Sequence, residues 1–326
     1  MRGGMVPDLA LVERFSKDLD PLVVPAARVG VAVSGGPDSL ALLLLAAAAR
    51  PGSIEAVTVD HGLRPGSRDE ARGVAGLCEC LGVPHRILTV EWTRKPATGI
   101  QERARSARYR HLAAWAKERG LAAILTAHHV DDQAETLIMR LSRGSGVRGL
   151  AGMRPVSVVP GSDVALVRPL LGWRRSDLLS ICAAAGIDPA TDPSNEDERF
   201  ERVRVRRSLG RSEWLVPEAL ASSARHLGDA DAALEWATRL EWTRAVRNGG
   251  AEIVYRPGDA PSEIRRRIVS EAVGRLWTEG QGAALKGREL DRLLIALSGA
   301  RTVTIRGVRC RGGDEWSFAR APTRRR

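Results

Sequence analysis

The chain is predicted to be an α/β protein: a Rossmann-like parallel sheet with helices on both faces, plus a smaller, mainly helical C-terminal domain. Three observations lead there. Between residues 28 and 168, short apolar runs of strand length alternate with segments of helical length. The first run ends in a glycine-rich turn that opens into a helix, the arrangement that holds phosphate groups in such sheets. And 326 residues exceed the roughly 100–200 that one domain usually takes.

The elements follow in order. Residues 9–20 carry a short helical pattern, and Arg28–Val33 is a brief apolar strand. After Ser34-Gly35-Gly36, Pro37 sets the backbone for a helix that runs from Asp38 to about Ala49. Ile54–Val59 is a second strand, closed by Asp60-His61-Gly62. A helix over Ser67–Leu81 leads to a third strand, His85–Val90. Gln101–Gly120 is a long arginine-dense helix, Leu121–Ala127 a fourth strand, Asp131–Leu141 the next helix and Ala165–Arg168 a fifth strand. Ligands of such sheets bind beyond the carboxyl ends of the strands.

Pro217 and the arginine-rich stretch before it mark a break. The expected division is residues 1–215, the α/β domain with a basic linker helix, and residues 216–326, a smaller, mainly helical domain. In the latter, 218–247, 262–278 and 287–297 have helical periodicity, and Gly299–Phe318 alternates as a β-hairpin does. The last residues, Thr323–Arg326, read as a frayed basic tail.

Composition excludes several classes. With 44% apolar and 27% charged residues the chain is globular, neither disordered nor fibrous. Its longest apolar run, Leu40–Ala49, falls short of the about 18 residues a membrane span needs. Met1–Asp8 lacks the apolar core of a secretory leader, so a cytoplasmic location is expected, with Met5 as an alternative start. Cys78, Cys80, Cys182 and Cys310 form no CxxC pair and read as free thiols. A homodimer is one of the assemblies the sequence allows.

Charge narrows the partner. Lys and Arg number 50 against 39 Asp and Glu, a formal net charge of +11, which points to a polyanion such as nucleic acid. Lysine is confined to Lys17, Lys95, Lys117 and Lys286. Coding bias and the fitness of guanidinium for bidentate phosphate contacts both produce such a surplus of arginine. Aromatic residues are only 4% of the chain, which argues against an extended base-stacking platform.

The sharpest motif is Val31-Ala-Val-Ser34-Gly35-Gly36-Pro37-Asp38-Ser39. Glycines let the backbone approach an anion, and the helix start offers unpaired N–H groups. Ser34 and Ser39 add hydroxyl donors, and Asp38 beside phosphate makes sense if it helps hold Mg²⁺ against a polyphosphate. The Gly-Lys-Ser/Thr ending of a Walker loop is absent. Asp132 and Glu135, three apart at a helix start, share one face. They suit Mg²⁺, a cationic amine, or simply the helix dipole. His128 and His129 suit hydrogen bonding or packing better than metal binding, since no third ligand is spaced with them.

The SGGPDS run resembles the PP-loop of the N-type ATP pyrophosphatases. That class cleaves ATP between the α- and β-phosphates, adenylates a substrate oxygen and displaces AMP with a nitrogen or sulfur nucleophile. Val59-Asp60-His61-Gly62-Leu63-Arg64, Thr126-Ala-His128-His129-Val-Asp131-Asp132-Gln133-Ala-Glu135-Thr136, Arg143-Gly-Ser-Gly146 with Gly149-Leu150, and Asp192-Pro-Ser-Asn195-Glu-Asp197 with Arg202, Arg204 and Arg206 downstream narrow the likeness. Together they resemble the tRNA(Ile)-lysidine synthetase family, closely over about residues 28–210 and loosely beyond.

The resemblance implies a fold of the adenine nucleotide alpha-hydrolase type, a catalytic first domain and a docking second one, and a set of roles. ATP with Mg²⁺ sits on Ser34, Gly35, Gly36, Pro37, Asp38 and Ser39, with Asp60 and His61 at the nucleotide edge and Asp38 on the metal. Arg108 faces the reacting phosphate, while Asp132 and Glu135 recognise free L-lysine. Arg202, Arg204, Arg206 and Arg207, with Arg211, contact the tRNA backbone. The implied reaction ligates lysine to C2 of the wobble cytidine in the CAU anticodon of tRNA(Ile), giving lysidine, AMP and pyrophosphate; Asp38, Arg108, Asp132 and Glu135 are its catalytic set. The alternatives are a tRNA thiolase of the same class, a small-molecule ligase of the class, or a non-catalytic RNA-binding protein on a nucleotide fold.

Overall fold

The structure, a computed structural model, describes residues 5–62, 66–92, 99–190, 197–277, 285 and 287–322. Leu63 and Arg64 of the second-strand motif, Asp192–Glu196 and the tail 323–326 lie outside the described residues. The chain divides into two compact units, residues 1–228 and 229–326.

The first unit runs α1 (Leu9–Leu19), β1 (Val29–Ala32), α2 (Pro37–Ala49), β2 (Ile54–Asp60), α3 (Ser67–Leu81), β3 (His85–Thr89), α4 (Ile100–Arg119), β4 (Ala123–Leu125), α5 (Val130–Leu141), α6 (Val147–Leu150), β5 (Val156–Val158), β6 (Ala165–Val167), α7 (Arg175–Ala184), α8 (Glu201–Arg211) and the start of α9 (Pro217–Ala245). The sequence break at 215/216 falls where Pro217 opens α9. Six strands form one sheet in the order β3-β2-β1-β4-β6-β5. All neighbours are parallel except β5, which runs antiparallel to β6 at the edge. The order reverses between β1 and β4, and the ligand crevice of such a sheet opens at that switch.

Side-chain alternation explains the two helical layers. Val29, Val31, Val33, Ile54, Ala56, Ala123 and Leu125 share a core with α1, α2, α3 and α7. Val57, Ile124 and Leu166 point the other way, into a core with Tyr109, Leu112 and Trp115 of α4. Leu40–Ala46 are buried in succession, as expected of a helix enclosed on all sides. That apolar run is the centre of a buried core, and among the described residues no helix is long and apolar enough to cross a membrane.

The expected alternation of strands and helices is therefore present, and two features escaped it. The edge strand β5 is three residues long and half-exposed, too short for a period-2 signal. The helix α7 begins at Arg175, where Asp177 accepts the backbone N–H of Arg174 at 3.2 Å and secures the turn.

The second unit contains the rest of α9, β7 (Val246–Asn248), β8 (Glu252–Tyr255), α10 (Ser262–Leu276), α11 (Gly287–Ser298), β9 (Thr302–Ile305), β10 (Val308–Arg311) and β11 (Trp316–Arg320). Its strands form an antiparallel sheet ordered β7-β8-β11-β10-β9. Ile253, Tyr255, Val308, Cys310, Trp316 and Phe318 pack against Ile264, Ile268, Leu293 and Leu297 of the two helices. The expected hairpin is thus part of a five-stranded sheet. Its tight turn is Arg306-Gly307, both at positive φ (47° and 74°), as a two-residue hairpin connection requires. Two strands went unseen because β7 continues directly from the helical pattern of α9.

Gly30 is where the sheet and α4 come closest. A Cβ there would lie 2.5 Å from Trp115 Cζ3. Gly30→Ala is expected to lower unfolding free energy by about 1–3 kcal/mol through overpacking, read as an earlier urea midpoint at unchanged m-value.

Candidate active site

The loop after β1 is tied by its own serines. Ser39 Oγ accepts the backbone N–H of Ser34 at 3.0 Å, donates to Gly36 O at 2.9 Å and lies 3.2 Å from Ser34 Oγ. Gly35 adopts φ +84°, a left-handed conformation open to glycine, and its carbonyl accepts the Ala190 N–H at 3.1 Å. Gly36 is the N-cap of α2 and has no side-chain cap, so the first N–H groups of that helix are free for an anion.

These residues border a cavity of about 590 Å³ at the carboxyl ends of the parallel strands. It is lined by Ser34, Gly36, Asp38 and Ser39 on one side, Asp60 and His61 at the end of β2, and Arg105 and Arg108 from α4. Asp132 and Arg202 close it. Asp60 is buried and accepts the Gly62 N–H at 2.9 Å and Ser67 Oγ at 2.7 Å, which fixes the turn carrying His61. Burial, then the nearby Arg108 charge, lowers the His61 pKa, so the imidazole is neutral.

The α4 wall is uncompensated positive charge. The guanidinium carbons of Arg105 and Arg108 lie 5.0 and 5.3 Å from the Tyr109 ring centroid. Neither has an acidic partner among the described residues. Burial and the Arg105 charge lower the Arg108 pKa. His128, with Nδ1 3.0 Å from Thr126 Oγ1, is pushed down to about 3 by burial and by Arg168, Arg108, Arg202 and Arg105. A wall of this kind favours an anion opposite it.

A second charge cluster sits where α5 begins. His129 is 1% exposed, within 3.6 Å of Asp38, 3.4 Å of Asp131 and 3.5 Å of Asp132. Burial disfavours its charge, but hydrogen bonds that the imidazolium donates to Asp131 and Asp38, with the Asp132 charge, outweigh it and raise its pKa to about 9. Glu135, also 1% exposed, accepts Arg202 Nε and Arg206 Nε at 2.6 Å each. Arg202 Nη2 also donates to Asp132 at 2.6 Å. Burial raises the Asp132 pKa against the pull of His129 and Arg202.

The α8 helix therefore has two faces. Arg202 and Arg206, one turn apart, point inward onto carboxylates; of the four arginines expected on tRNA phosphates, these two are engaged inside the protein. Arg204 and Arg207 lie on the exposed face, with Arg211. Beyond Glu135 lies a second cavity of about 500 Å³, bordered by Asp131, Arg174, Arg175, Arg206 and the turn Leu215–Pro217. The structure thus brings Ser34, Gly36, Asp38, Ser39, Asp60, His61, Arg108 and Asp132 to one cavity and Glu135 to the wall of the next. Gly35 and Pro37 shape the loop without lining the cavity. Arg105 was missed, although its position three residues before Arg108 on one helix places both on the same face. Arg174 and Arg175 carried no motif.

A PP-loop domain family model matches residues 8–213. The tRNA(Ile)-lysidine synthase of Novosphingobium aromaticivorans is 46% identical over 315 residues, 96% of this chain and 94% of that one. The tRNA(Ile)-lysidine synthase of Zymomonas mobilis is 42% identical over 330 residues, covering all of this chain and 98% of its own. The chain belongs to the tRNA(Ile)-lysidine synthase family. This bears out the resemblance drawn from the PP-loop and the carboxylate motifs. Among solved structures, the U34-tRNA thiolase of Methanococcus maripaludis with its [4Fe-4S] cluster matches with a TM-score of 0.58 at 17% identity, covering 68% of this chain and 79% of that one; the likeness is one of fold. In this lysidine synthase family chain no cysteine lines either cavity, although Cys182 Sγ donates to the Pro37 carbonyl behind the phosphate loop at 3.3 Å. Cys78, Cys182 and Cys310 are buried thiols, raised by burial to about 12, 11 and 12, and Cys80 is exposed on α3.

Arg206→Ala leaves Glu135 with one guanidinium instead of two. Because Arg206 is itself one-third exposed, the expected loss is about 1–3 kcal/mol of unfolding free energy, measured by urea titration; Arg207→Ala, on the outer face, is expected to change it by less than about 0.5 kcal/mol.

Proposed function

We propose that this chain forms lysidine: it ligates free L-lysine to C2 of the wobble cytidine in the CAU anticodon of tRNA(Ile), converting ATP to AMP and pyrophosphate. The observation that carries this reading is the pair of cavities meeting at the start of α5. One pairs a phosphate loop with an arginine wall; the other mixes carboxylates with arginines, as a zwitterionic amino acid requires.

In the first cavity the loop N–H groups and Ser34 hold the ATP phosphates. The C2 oxygen of the cytidine attacks the α-phosphorus, the bond to the bridging oxygen breaks and pyrophosphate leaves. Arg108 offsets the negative charge that grows on the α-phosphate, with Arg105 beside it. The residues present also fit Mg²⁺: Asp38 Oδ1 is buried without a hydrogen-bond partner at the loop, and one carboxylate beside phosphate oxygens is an ordinary magnesium arrangement. When bound, Mg²⁺ neutralises polyphosphate charge.

In the second half-reaction the lysine ε-amine, having lost its proton, attacks C2. The C2–oxygen bond breaks, and AMP departs with that oxygen. Asp132 and Glu135 present carboxylates to the lysine ammonium groups, and Arg174, Arg175 or Arg206 to its carboxylate. Because Arg202 and Arg206 already occupy Glu135, lysine binding exchanges one cation for another on a buried acid rather than filling an empty charge.

tRNA docking is assigned to the outer face of α8 and to the open face of the C-terminal sheet. Register places Thr302, Arg311, Ser317, Val254 and Arg247 in one row of that face and Thr304, Arg309, Ala319 and Glu252 in the next, so one acid lies two strands from Arg309. Arg309 and Arg311 are exposed with no acidic partner among the described residues. Arginines with hydroxyl neighbours and no aromatic ring suit the phosphate backbone, not the bases.

The deciding experiment offers ATP and labelled lysine to transcripts of tRNA(Ile) with a CAU anticodon and of tRNA(Met) with the same anticodon. Lysine should enter the first alone; sulfur transfer, or pyrophosphate release without tRNA, would overturn the reading. Asp38→Ala is expected to lower tRNA-dependent pyrophosphate release at least 100-fold. Glu135→Ala is expected to raise the KM for lysine about tenfold or more while adenylation persists. A double Cys78→Ser, Cys80→Ser variant should keep wild-type turnover, as a thiolase would not.

A further inference from the structure

Trp214 is the most exposed large apolar side chain among the described residues, at 81%. A tryptophan ring has about 150–250 Å² to bury and is rarely left in water without a partner. Trp214 lies in the turn between α8 and α9, where Ser212 Oγ accepts the Leu215 N–H at 3.3 Å. The next residues, Leu215, Val216 and Pro217, form a wall of the second cavity. Trp214 itself does not line that cavity, but the residues on both sides of it, Glu213 and Leu215, do.

Its surroundings identify the occupant. The exposed face of α8 carries Arg204, Arg207 and Arg211 at helical spacing, leading to Trp214. Arg204 donates to the main-chain carbonyls of Glu198 and Arg199 at 2.7 and 3.1 Å and keeps its charge uncompensated. Arg207 pairs with Glu198, and Arg211 has no acidic partner among the described residues. Glu213 is the acidic residue next to the ring. Val216, 47% exposed, is the only large apolar neighbour in the turn to share its exposure. A protein partner needs an apolar core within about 800 Å² per side, which one ring and one valine do not supply. A lone aromatic in a basic stretch is how proteins hold an unpaired nucleotide: the ring takes the base, the arginines take the phosphates.

We propose that Trp214 is a stacking platform for one unpaired base of the anticodon loop, with Arg211 and Arg207 on the flanking phosphates, so that the loop is held beside the lysine pocket. This rests on the tRNA reading above and adds a contact that none of the motifs carries. One ring is consistent with a chain too poor in aromatics for an extended platform.

The test uses the full chain and an anticodon stem-loop of tRNA(Ile), intact or with a single abasic site at each loop position other than the wobble cytidine. Wild-type protein must incorporate lysine into full-length tRNA(Ile), or the functional reading fails; if it modifies that tRNA but not the intact stem-loop, the same abasic series is placed in the full-length tRNA. Given that activity, Trp214→Ala is expected to raise the KM for the stem-loop about tenfold with kcat within twofold, the loss of one base–aromatic stack. Trp214→Phe should recover most of it. One abasic position should cost the wild type a similar factor and cost Trp214→Ala nothing. An unchanged KM in Trp214→Ala, or abasic penalties equal in the two proteins, overturns the proposal. So does a Trp214→Ala variant whose only change is its sedimentation, which would make Trp214 a contact between copies of the chain. Because the ring is exposed, the thermal midpoint of the variants should match the wild type.

Discussion

A carboxylate that is 1% exposed and held between two guanidinium groups organises the end of the parallel sheet where the two cavities open. Glu135 stands on the first turns of α5, and both of its oxygens are taken by α8. Without Arg202 and Arg206 it would be a buried unpaired charge, and with Glu135 neutral the two arginines would lose the acid that draws α8 inward. The ion pairs thus do two jobs. They pin a helix of strongly basic composition against the sheet, and they form the wall where the nucleotide cavity and the second cavity meet. Asp132 extends the same contact to the first cavity by accepting Arg202.

The electrostatics divide at that wall. On the first cavity's side, burial and the Arg105 charge lower the pKa values of Arg108 and Arg168, and buried His128 stays neutral beside them. Such an arrangement is unfavourable in isolation and relaxed by a multivalent anion. On the other side, His129 is kept charged by Asp38, Asp131 and Asp132 around it. Two adjacent histidines at the end of one strand therefore hold opposite protonation states, because one looks at arginines and the other at aspartates. Neither needs a metal ion to explain its burial.

Much of this was legible in the chain. The parallel sheet followed from alternation, and the phosphate loop from SGGPDS after an apolar strand, because both signals are local: a strand period, a glycine that needs φ +84°, a proline at a helix start. Asp132 and Glu135 were found from their spacing. What could not be read was the direction of side chains on α8. Arg202, Arg204, Arg206 and Arg207 look alike in sequence, and only tertiary packing decides that the pair one turn apart faces Glu135 while the others face water. The C-terminal sheet was understated for a similar reason. Three-residue strands such as β7 have no period of their own and exist through their neighbours.

The net charge of +11 takes on a different meaning once the arginines are sorted. A surplus of that size suggests one continuous basic surface, yet many of the guanidinium groups are internal. Arg267, at 6% exposure, is enclosed by Asp231, Glu235 and Glu263 in the second unit. Arg50 is tied to Asp20 and two carbonyls, and Arg202 and Arg206 are bound to Asp132 and Glu135. These arginines are structural forks, for which a planar five-donor group serves better than an ammonium. That role accounts for arginine over lysine at these sites without any appeal to RNA. Among the described residues, arginines without an acidic partner include Arg204 and Arg211 on α8, Arg309 and Arg311 on the C-terminal sheet, and Arg105 and Arg108 at the first cavity. For the proposed tRNA ligand, affinity should then depend on the phosphates such groups reach, and selectivity on the shape of the loop and the bases it leaves unpaired.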